Sequence, residues 1–150
     1  MLVVMNQAFE LSYGKCRELL GAGVFGRVGV CTAQKLVILP VNYALVCESV
    51  IFRTTPHGVV ANHNWDSQIA FEIDFVDYAD HKGWSVLATG RAERVEDPDE
   101  IARIKRTWEP QPWAGGDRPL YVKLAWEELS GRRLGQGWTH ENEMPVRRQL

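Results

Sequence analysis

The sequence predicts a mainly β protein whose strands form a closed antiparallel barrel with short flanking helices. Roughly five or six strand-like runs follow one another with short turns between them, and only two segments have clear helical character. The strands do not alternate with helices along the chain, which argues against a doubly wound parallel sheet. Antiparallel strands joined by short turns commonly close into a barrel, because closure removes the exposed sheet edges.

Each strand-like run shows either alternation of apolar and polar residues or a nearly continuous apolar pattern. The clearest is 68–75, where large apolar side chains occupy every second position. Pro40 interrupts the apolar run 36–45 and indicates an edge strand or a bulge, and Gly90 indicates a bend in the longest run. The runs are 24–31, 36–45, 49–54, 68–75, 84–95, 120–126 and, as a candidate continuation of the last, 129–134.

Two helices are predicted from their capping residues and their periodicity. Ser12 has the side chain of an N-cap, apolar residues then recur at helical spacing, and Gly21 ends the pattern. The second helix begins with Asp97 as the cap and Pro98 at the first helical position, and the pattern extends to Thr107. Because both helices are short, we expect them to flank the barrel rather than form a layer of their own.

The chain of 150 residues has the length of one ordinary domain. We assign residues 1–134 to the barrel domain. A loop over 109–119 is rich in Pro, Gly and Trp; it either covers a ligand of a second subunit or packs as a lid on its own surface. Residues 135–150 are polar, charged and contain glycine, which predicts a flexible C-terminal tail that is dispensable for folding.

The composition is that of a globular protein, with 45% hydrophobic and 24% charged residues and a formal net charge of -2. The sequence has no excess of basic residues, so nothing in its charge indicates nucleic-acid binding. No apolar stretch approaches the ~20 residues that cross a membrane. The first residues lack the basic start of a secretory signal. Three cysteines without CxxC spacing are typical of the reduced cytoplasm, so we expect a cytoplasmic protein.

An ordered series of short motifs runs through the strands, and no single one of them is diagnostic. They are GRVGV at 26–30, PVNY at 40–43, FRT at 52–54, AFEID at 70–74, GWSV at 83–86, TGRA at 89–92 and SGRR at 130–133. Over roughly residues 10 to 134, this series resembles the pyridoxamine 5'-phosphate oxidase-like proteins, in particular the small bacterial branch that includes the nitroimidazole-resistance type. The resemblance implies a six-stranded split barrel, a homodimer, and FMN bound at the interface of the two subunits.

The resemblance assigns the FMN phosphate to the end of the strand at 49–54 and to the loop after it. Arg53, Thr54 and Thr55 supply there the cation and the hydroxyl donors that a phosphate requires. In the alternative interpretation, Arg53 is an arginine on the outer face of a strand. The loop departs from the family pattern, because Val59 and Val60 stand where a basic residue is usual. Losing such a contact weakens binding about tenfold or more.

The resemblance assigns the flavin ring to two other strands. Val41, Asn42 and Tyr43 would run along the ring with their backbone groups and the Asn42 amide, and Ser85 would bond its polar edge. The alternative places Asn42 on backbone groups, Tyr43 in the core, and the strand of Ser85 in ordinary packing with Trp84 beside it. The residues by themselves do not decide between these interpretations.

Three functions follow from these observations. The first is an FMN-dependent oxidoreductase or flavin reductase acting on a small-molecule substrate, where the flavin supplies the chemistry and no side-chain acid or base is required. The second is a split-barrel dimer that uses a deazaflavin or another ligand, and the third is a non-redox binding protein. No catalytic residue can be assigned. The four histidines lack metal-ligand spacing, so no metal site is predicted.

Overall fold

The computed structural model describes residues 8–113 and 115–144, which form a curled antiparallel sheet with two helices. The prediction of a mainly β split barrel is confirmed. The described residues contain nine strands, three more than the six that the resemblance implies. In chain order the elements are β1 (Phe9–Glu10), α1 (Tyr13–Ala22), β2 (Phe25–Cys31), β3 (Leu36–Val46), β4 (Ser49–Thr54), β5 (Ile69–Asp77), β6 (Lys82–Gly90), β7 (Ala92–Val95), α2 (Pro98–Trp108), β8 (Leu120–Ala125) and β9 (Glu128–Leu134).

The higher strand count has two local causes and one addition at the edge. The run 84–95 divides after Gly90, where the chain passes close to the β8 end: a Cβ on Gly90 would lie 3.1 Å from the Ala125 carbonyl oxygen. The run 129–134 does not continue β8 but turns back to pair with β6 as β9. The two-residue strand β1 adds to the outer side of β9.

The strand order in the sheet is β1-β9-β6-β5-β2-β3-β4-β8-β7, and neighbouring strands are antiparallel. β3 connects the two halves of the barrel: its first part pairs with β2, and its last part, from Tyr43 to Val46, pairs with β4. At the far side, the Glu127 N–H donates to the Thr89 carbonyl at 2.8 Å, which holds the β8–β9 turn against the end of β6. The sheet therefore curls around one interior.

Alternate side chains of the strands and one face of α1 fill that interior. On β2, Val28 and Val30 point inward and are essentially fully buried, as Phe71 is on β5. Leu19 and Leu20 of α1 are buried in the same cluster. Burial of a side chain of this size contributes about 1.5–3 kcal/mol each, so the helix is held to the barrel mainly by these residues.

Both helices begin at the predicted caps. The Ser12 side chain accepts from the Lys15 N–H, and the Asp97 side chain accepts from the Asp99 N–H. α2 extends to Trp108, one residue beyond the predicted end. It buries Ile104 in a second, smaller cluster with side chains of β3, β4, β7 and β8. Neither helix is long and apolar enough to cross a membrane, among the residues that the structure describes.

The segment after β9 folds back onto the barrel, which differs from the expected flexible tail over 135–150. Glu143 is 3% exposed and Met144 is 7% exposed. The Lys15 ammonium contacts the Glu143 carboxylate at 2.6 Å, and the Trp84 indole N–H donates to the Glu143 carbonyl. The chain turns back at Gly135 and Gly137, whose φ angles are positive, and Met144 then packs against the core cluster. Residues 145–150 of the expected tail lie outside the described residues.

Candidate functional site

Most of the predicted binding residues lie at one end of the barrel, where β3 and β4 meet the loop that precedes β8. Arg53 is opposite Tyr121 on β8, and Thr54, the last residue of β4, is opposite Leu120. Thr55 follows directly, and Thr54 is largely buried. Val41 and Asn42 lie in the part of β3 that pairs with the start of β2.

Ser85 is not part of this group within one chain. It lies on β6, opposite Asp74 of β5 and Arg132 of β9. β6 is separated from β3 by β5 and β2, which makes three inter-strand steps of about 4.8 Å, or roughly 14 Å. Ser85 and Asn42 are therefore not neighbours in the sheet of one chain.

Asn42 is held at both ends of its amide. Its Nδ2 donates to the Val24 carbonyl at 3.3 Å, and its Oδ1 accepts from the Trp113 N–H at 2.8 Å. Its amide therefore bonds backbone groups in the structure, as the alternative interpretation of the sequence had it. The second of these bonds fixes the loop over 109–119 at the mouth of the barrel, a contact that the sequence did not indicate because 71 residues separate the partners.

Tyr43 is a core residue. Its side chain is 1% exposed, its hydroxyl donates to the Leu20 carbonyl at 2.5 Å, and its ring meets the Phe71 ring edge-on at 4.8 Å between centroids. A buried tyrosine needs such a hydrogen-bond acceptor, because an unpaired hydroxyl in the interior costs about 1–3 kcal/mol. Its backbone N–H donates to the Val24 carbonyl at 3.2 Å, so the Tyr43 side chain and this N–H both bond groups of the barrel itself.

The Arg53 side chain is engaged by the loop before β8. Its Nε donates to the Arg118 carbonyl at 3.1 Å, and its Nη1 lies 3.4 Å from a Glu109 carboxylate oxygen. The guanidinium carbon lies 5.3 Å from the centre of the Tyr121 ring. The Tyr121 hydroxyl donates to the same Glu109 oxygen at 2.6 Å. Burial, followed by this hydrogen bond, raises the pKa of Tyr121 to about 12.

The loop after β4 is compact and contributes apolar side chains to the core. Val60 is 1% exposed, and Val59 packs against the same cluster. The Gly58 N–H donates to the Thr55 carbonyl, and the Asn62 side chain donates to the Gly58 carbonyl at 3.0 Å. Val59 and Val60 thus pack against the core, and neither brings a positive charge to this loop.

The same loop holds a histidine that the sequence did not single out. His63 is 3% exposed, and its Nδ1 contacts the Val60 carbonyl. Its Nε2 has no hydrogen-bond partner among residues 8–113 and 115–144. The centres of the His63 and Trp65 rings are 4.3 Å apart, and the Arg94 guanidinium lies 5.1 Å from the centre of the Trp65 ring. An aromatic neighbour two residues later was the only sequence signal for this cluster.

An apolar cavity of about 320 Å³ opens beside Asn42 and the loop that it holds. Trp113 of the loop is stacked on Phe25 of β2, with ring centres 5.8 Å apart and planes within 9°. Asp74 is the charged residue in the lining, and its carboxylate lies 3.3 Å from the Arg27 guanidinium. The cavity is lined by Gly23, Val24, Phe25, Ile73, Asp74, Phe75, Trp84, Trp113 and Met144.

One group of potential metal ligands is found among the described residues, and it belongs to the docked C-terminal segment. Glu18, His140 and Glu143 place one ligand atom each within 4.8 Å of one another. The Lys15 ammonium lies 2.6 Å from the Glu143 carboxylate and 3.6 Å from that of Glu18. The Lys15 ammonium is shared between these two carboxylates, so the group acts as an ion-pair network that attaches the segment to α1.

The chain matches one protein family over most of its length. A family model described as pyridoxamine 5'-phosphate oxidase matches residues 12–133. The chain belongs to the pyridoxamine 5'-phosphate oxidase family. An uncharacterized protein of Mycobacterium tuberculosis is 32% identical over 134 residues, which cover 86% of this chain and 87% of the relative.

Solved structures of similar length have the same fold. The FAD binding protein from Mycobacterium smegmatis is 25% identical with a TM-score of 0.70, over 85% of this chain and 98% of that chain. A conserved protein of unknown function from Corynebacterium diphtheriae is 30% identical with a TM-score of 0.69, also over 85% of this chain and 98% of that chain. Because nearly the whole of each relative is covered, the similarity concerns a complete barrel rather than a fragment.

Proposed function

We propose that this member of the pyridoxamine 5'-phosphate oxidase family binds a flavin, with FMN as the first ligand to be tested. The observation that carries the proposal is the apolar cavity of about 320 Å³ with aromatic walls beside Asn42. Flat, largely apolar ring systems are bound in such cavities, with a few polar groups fixing their orientation. The relative from Mycobacterium smegmatis, an FAD binding protein, supports the same ligand class.

Different parts of the chain would hold the ring and exclude water from it. The Asn42 amide uses one hydrogen and one lone pair on backbone groups and would offer the remaining ones, with the backbone of the PVNY segment, to the ring edge. Phe25 and Trp113 offer aromatic faces, and Met144 closes the cavity from the C-terminal segment. A bound flavin would supply hydride or electron transfer, so the chain would serve as an FMN-dependent oxidoreductase or flavin reductase on a small-molecule substrate.

A homodimer is part of the proposal because a single chain leaves several large apolar side chains of its strands exposed. Leu36 is 73% exposed and Ile38 is 69% exposed on β3, and Leu87 of β6 is 40% exposed. Patches of this kind mark interfaces between subunits. We place Ser85, three strands from β3 in the same chain, among the residues that a second copy would bring toward the ligand. The three cysteines are free thiols, so we place the dimer in the cytoplasm.

A second candidate is favoured by the phosphate loop. Val59 and Val60 pack with the core and provide no charge, so a deazaflavin or another ligand with a different phosphate arrangement remains a separate proposal. A non-redox binding protein is the third. All three functions would use the same cavity, and they differ in the ligand that the cavity binds.

The test is an absorption spectrum of the purified protein, recorded as isolated and after addition of FMN, FAD or riboflavin. We expect a bound flavin with resolved visible bands and quenched fluorescence, and we expect NADH or NADPH to bleach those bands under anaerobic conditions. Binding without reduction by either nucleotide would argue against a flavin reductase. Absence of binding by all three flavins would reject the flavin proposal and leave the other-ligand and non-redox alternatives. Ile73→Trp, which fills the cavity, should abolish binding, whereas Val76→Trp on the exposed face of the same strand should not.

A further inference from the structure

The cation expected to meet a flavin phosphate is already bound to a carboxylate of its own chain. Two of the three guanidinium nitrogens of Arg53 have contacts, Nη1 with Glu109 at 3.4 Å and Nε with the Arg118 carbonyl at 3.1 Å. The Arg53 side chain is 23% exposed and that of Glu109 is 29% exposed. At this degree of burial an ion pair is only partly screened by water, so it opposes the approach of another anion.

Glu109 is held in place from two sides. It is the C-cap residue of α2, so the end of the helix fixes its backbone. Tyr121 donates a hydrogen bond to the same carboxylate oxygen at 2.6 Å, and the Tyr121 ring lies under Arg53. Arg53 and Tyr121 are opposite each other on β4 and β8, so the sheet places the cation beside the phenol that holds the carboxylate. The Glu109 carboxylate is therefore held beside Arg53 by the fold.

No other permanent cation is contributed by the loop that follows β4. Val59 and Val60 are core residues, and His57 is exposed at the turn. A phosphate dianion approaching Arg53 would meet the Glu109 carboxylate, and a repulsion of two like charges offsets the attraction of one cation. The ring cavity, in contrast, does not depend on this pair, because its lining contains neither Arg53 nor Glu109.

We propose that the Glu109 carboxylate takes the place of a flavin phosphate on Arg53, so that this chain binds riboflavin and FMN with similar affinity. The inference rests on the proposed flavin binding and deepens it. Glu109 is then a specificity-determining residue: it neutralises the phosphate subsite, and the ligand is selected by its ring. Replacing the carboxylate by an amide converts the subsite into one that favours the phosphorylated ligand.

The experiment compares the Kd values of riboflavin and FMN for wild type, Glu109→Gln and Glu96→Gln. We expect the two wild-type Kd values to agree within about threefold. Glu109→Gln should tighten FMN about tenfold or more, leave riboflavin unchanged, and make FMN binding more sensitive to salt. Glu96→Gln removes the same charge before the other end of α2, whose 11 residues span about 16 Å between the two positions, and should change neither Kd.

Two results would overturn the inference while flavin binding stands. One is a wild-type preference for FMN above about threefold, which would mean that another cation, such as Arg118, completes the subsite. The other is a weaker FMN affinity in Glu109→Gln, which would make Glu109 a residue that positions Arg53 for phosphate. If Glu109→Gln does not fold, Glu109→Ala removes the same carboxylate and should favour FMN in the same direction. Failure of both flavins to bind any folded variant rejects the inference together with the proposed function.

Discussion

At position 60 the barrel packs a valine with 1% of its surface exposed, in the loop where a cation would serve a phosphate. Val60→Lys would bury an ammonium group in an apolar cluster, and we expect it to lower the free energy of unfolding by at least about 3 kcal/mol, or roughly 6–12 °C in Tm. Val59 is only partly buried, so Val59→Lys can extend its charge to solvent and should strengthen FMN binding without a large loss of Tm. Thermal melts and FMN titrations of the two variants decide. Equal stability of both would contradict the burial argument.

Tyr121 provides a pH-dependent check of the contact with Glu109. Its pKa is raised from 10.0 to about 12, chiefly by burial and then by the bond to Glu109, so the folded protein holds this proton more tightly than the unfolded chain. The associated stability is fully present below pH 10 and is lost as the pH rises toward about 12. Denaturant unfolding at several alkaline pH values should show a steeper loss for wild type than for Tyr121→Phe. Parallel curves would mean that Tyr121 titrates normally.

At the scale of elements, the C-terminal segment acts as a strap between α1 and β6. Removing residues after Gly137 deletes the Lys15–Glu143 ion pair, the Trp84 hydrogen bond to the Glu143 carbonyl, and the buried Met144. These contacts together are worth about 3 kcal/mol, so we expect Tm to fall by roughly 6–12 °C.

The matched control for the strap is a chain that ends after Met144, which keeps the contacts and removes only residues 145–150. The comparison of the two truncated chains isolates the segment 138–144. An unchanged Tm in the shorter chain would restore the expectation of a dispensable tail. Met144 also lines the cavity, so the shorter chain should bind flavin more weakly if the cavity holds the ring.

At the scale of the whole molecule, the exposed side of β3 is expected to be covered by a second copy. Ile38→Lys places a charge in the centre of that face, and sedimentation should shift from dimer to monomer at micromolar concentration. Tyr78→Lys is the control, because Tyr78 is 85% exposed in the β5–β6 turn and outside the face. A wild-type protein that sediments as a monomer would contradict the homodimer proposal.

The sequence by itself determined the mainly β fold, both helix starts and the ordered motifs of the family. These properties are local: alternation along β5 reflects one buried face, and Ser12 and Asp97 cap the helices with their own side chains. Their cause lies within a few residues, so a sequence pattern can reveal it. The division of the run 84–95 at Gly90 was only partly foreseen, because the neighbouring strand end forces it.

The tertiary structure decided which groups face one another at the site. Glu109 reaches Arg53 across 56 residues, and Trp113 reaches Asn42 across 71, so no periodicity or spacing connects them. The docking of Glu143 on Lys15, 128 residues away, is of the same kind. Such contacts depend on how the sheet curls and which strand ends it brings together. The residue types at the candidate site could be anticipated from the sequence. The fold decides that the Arg53 guanidinium is already paired with the Glu109 carboxylate.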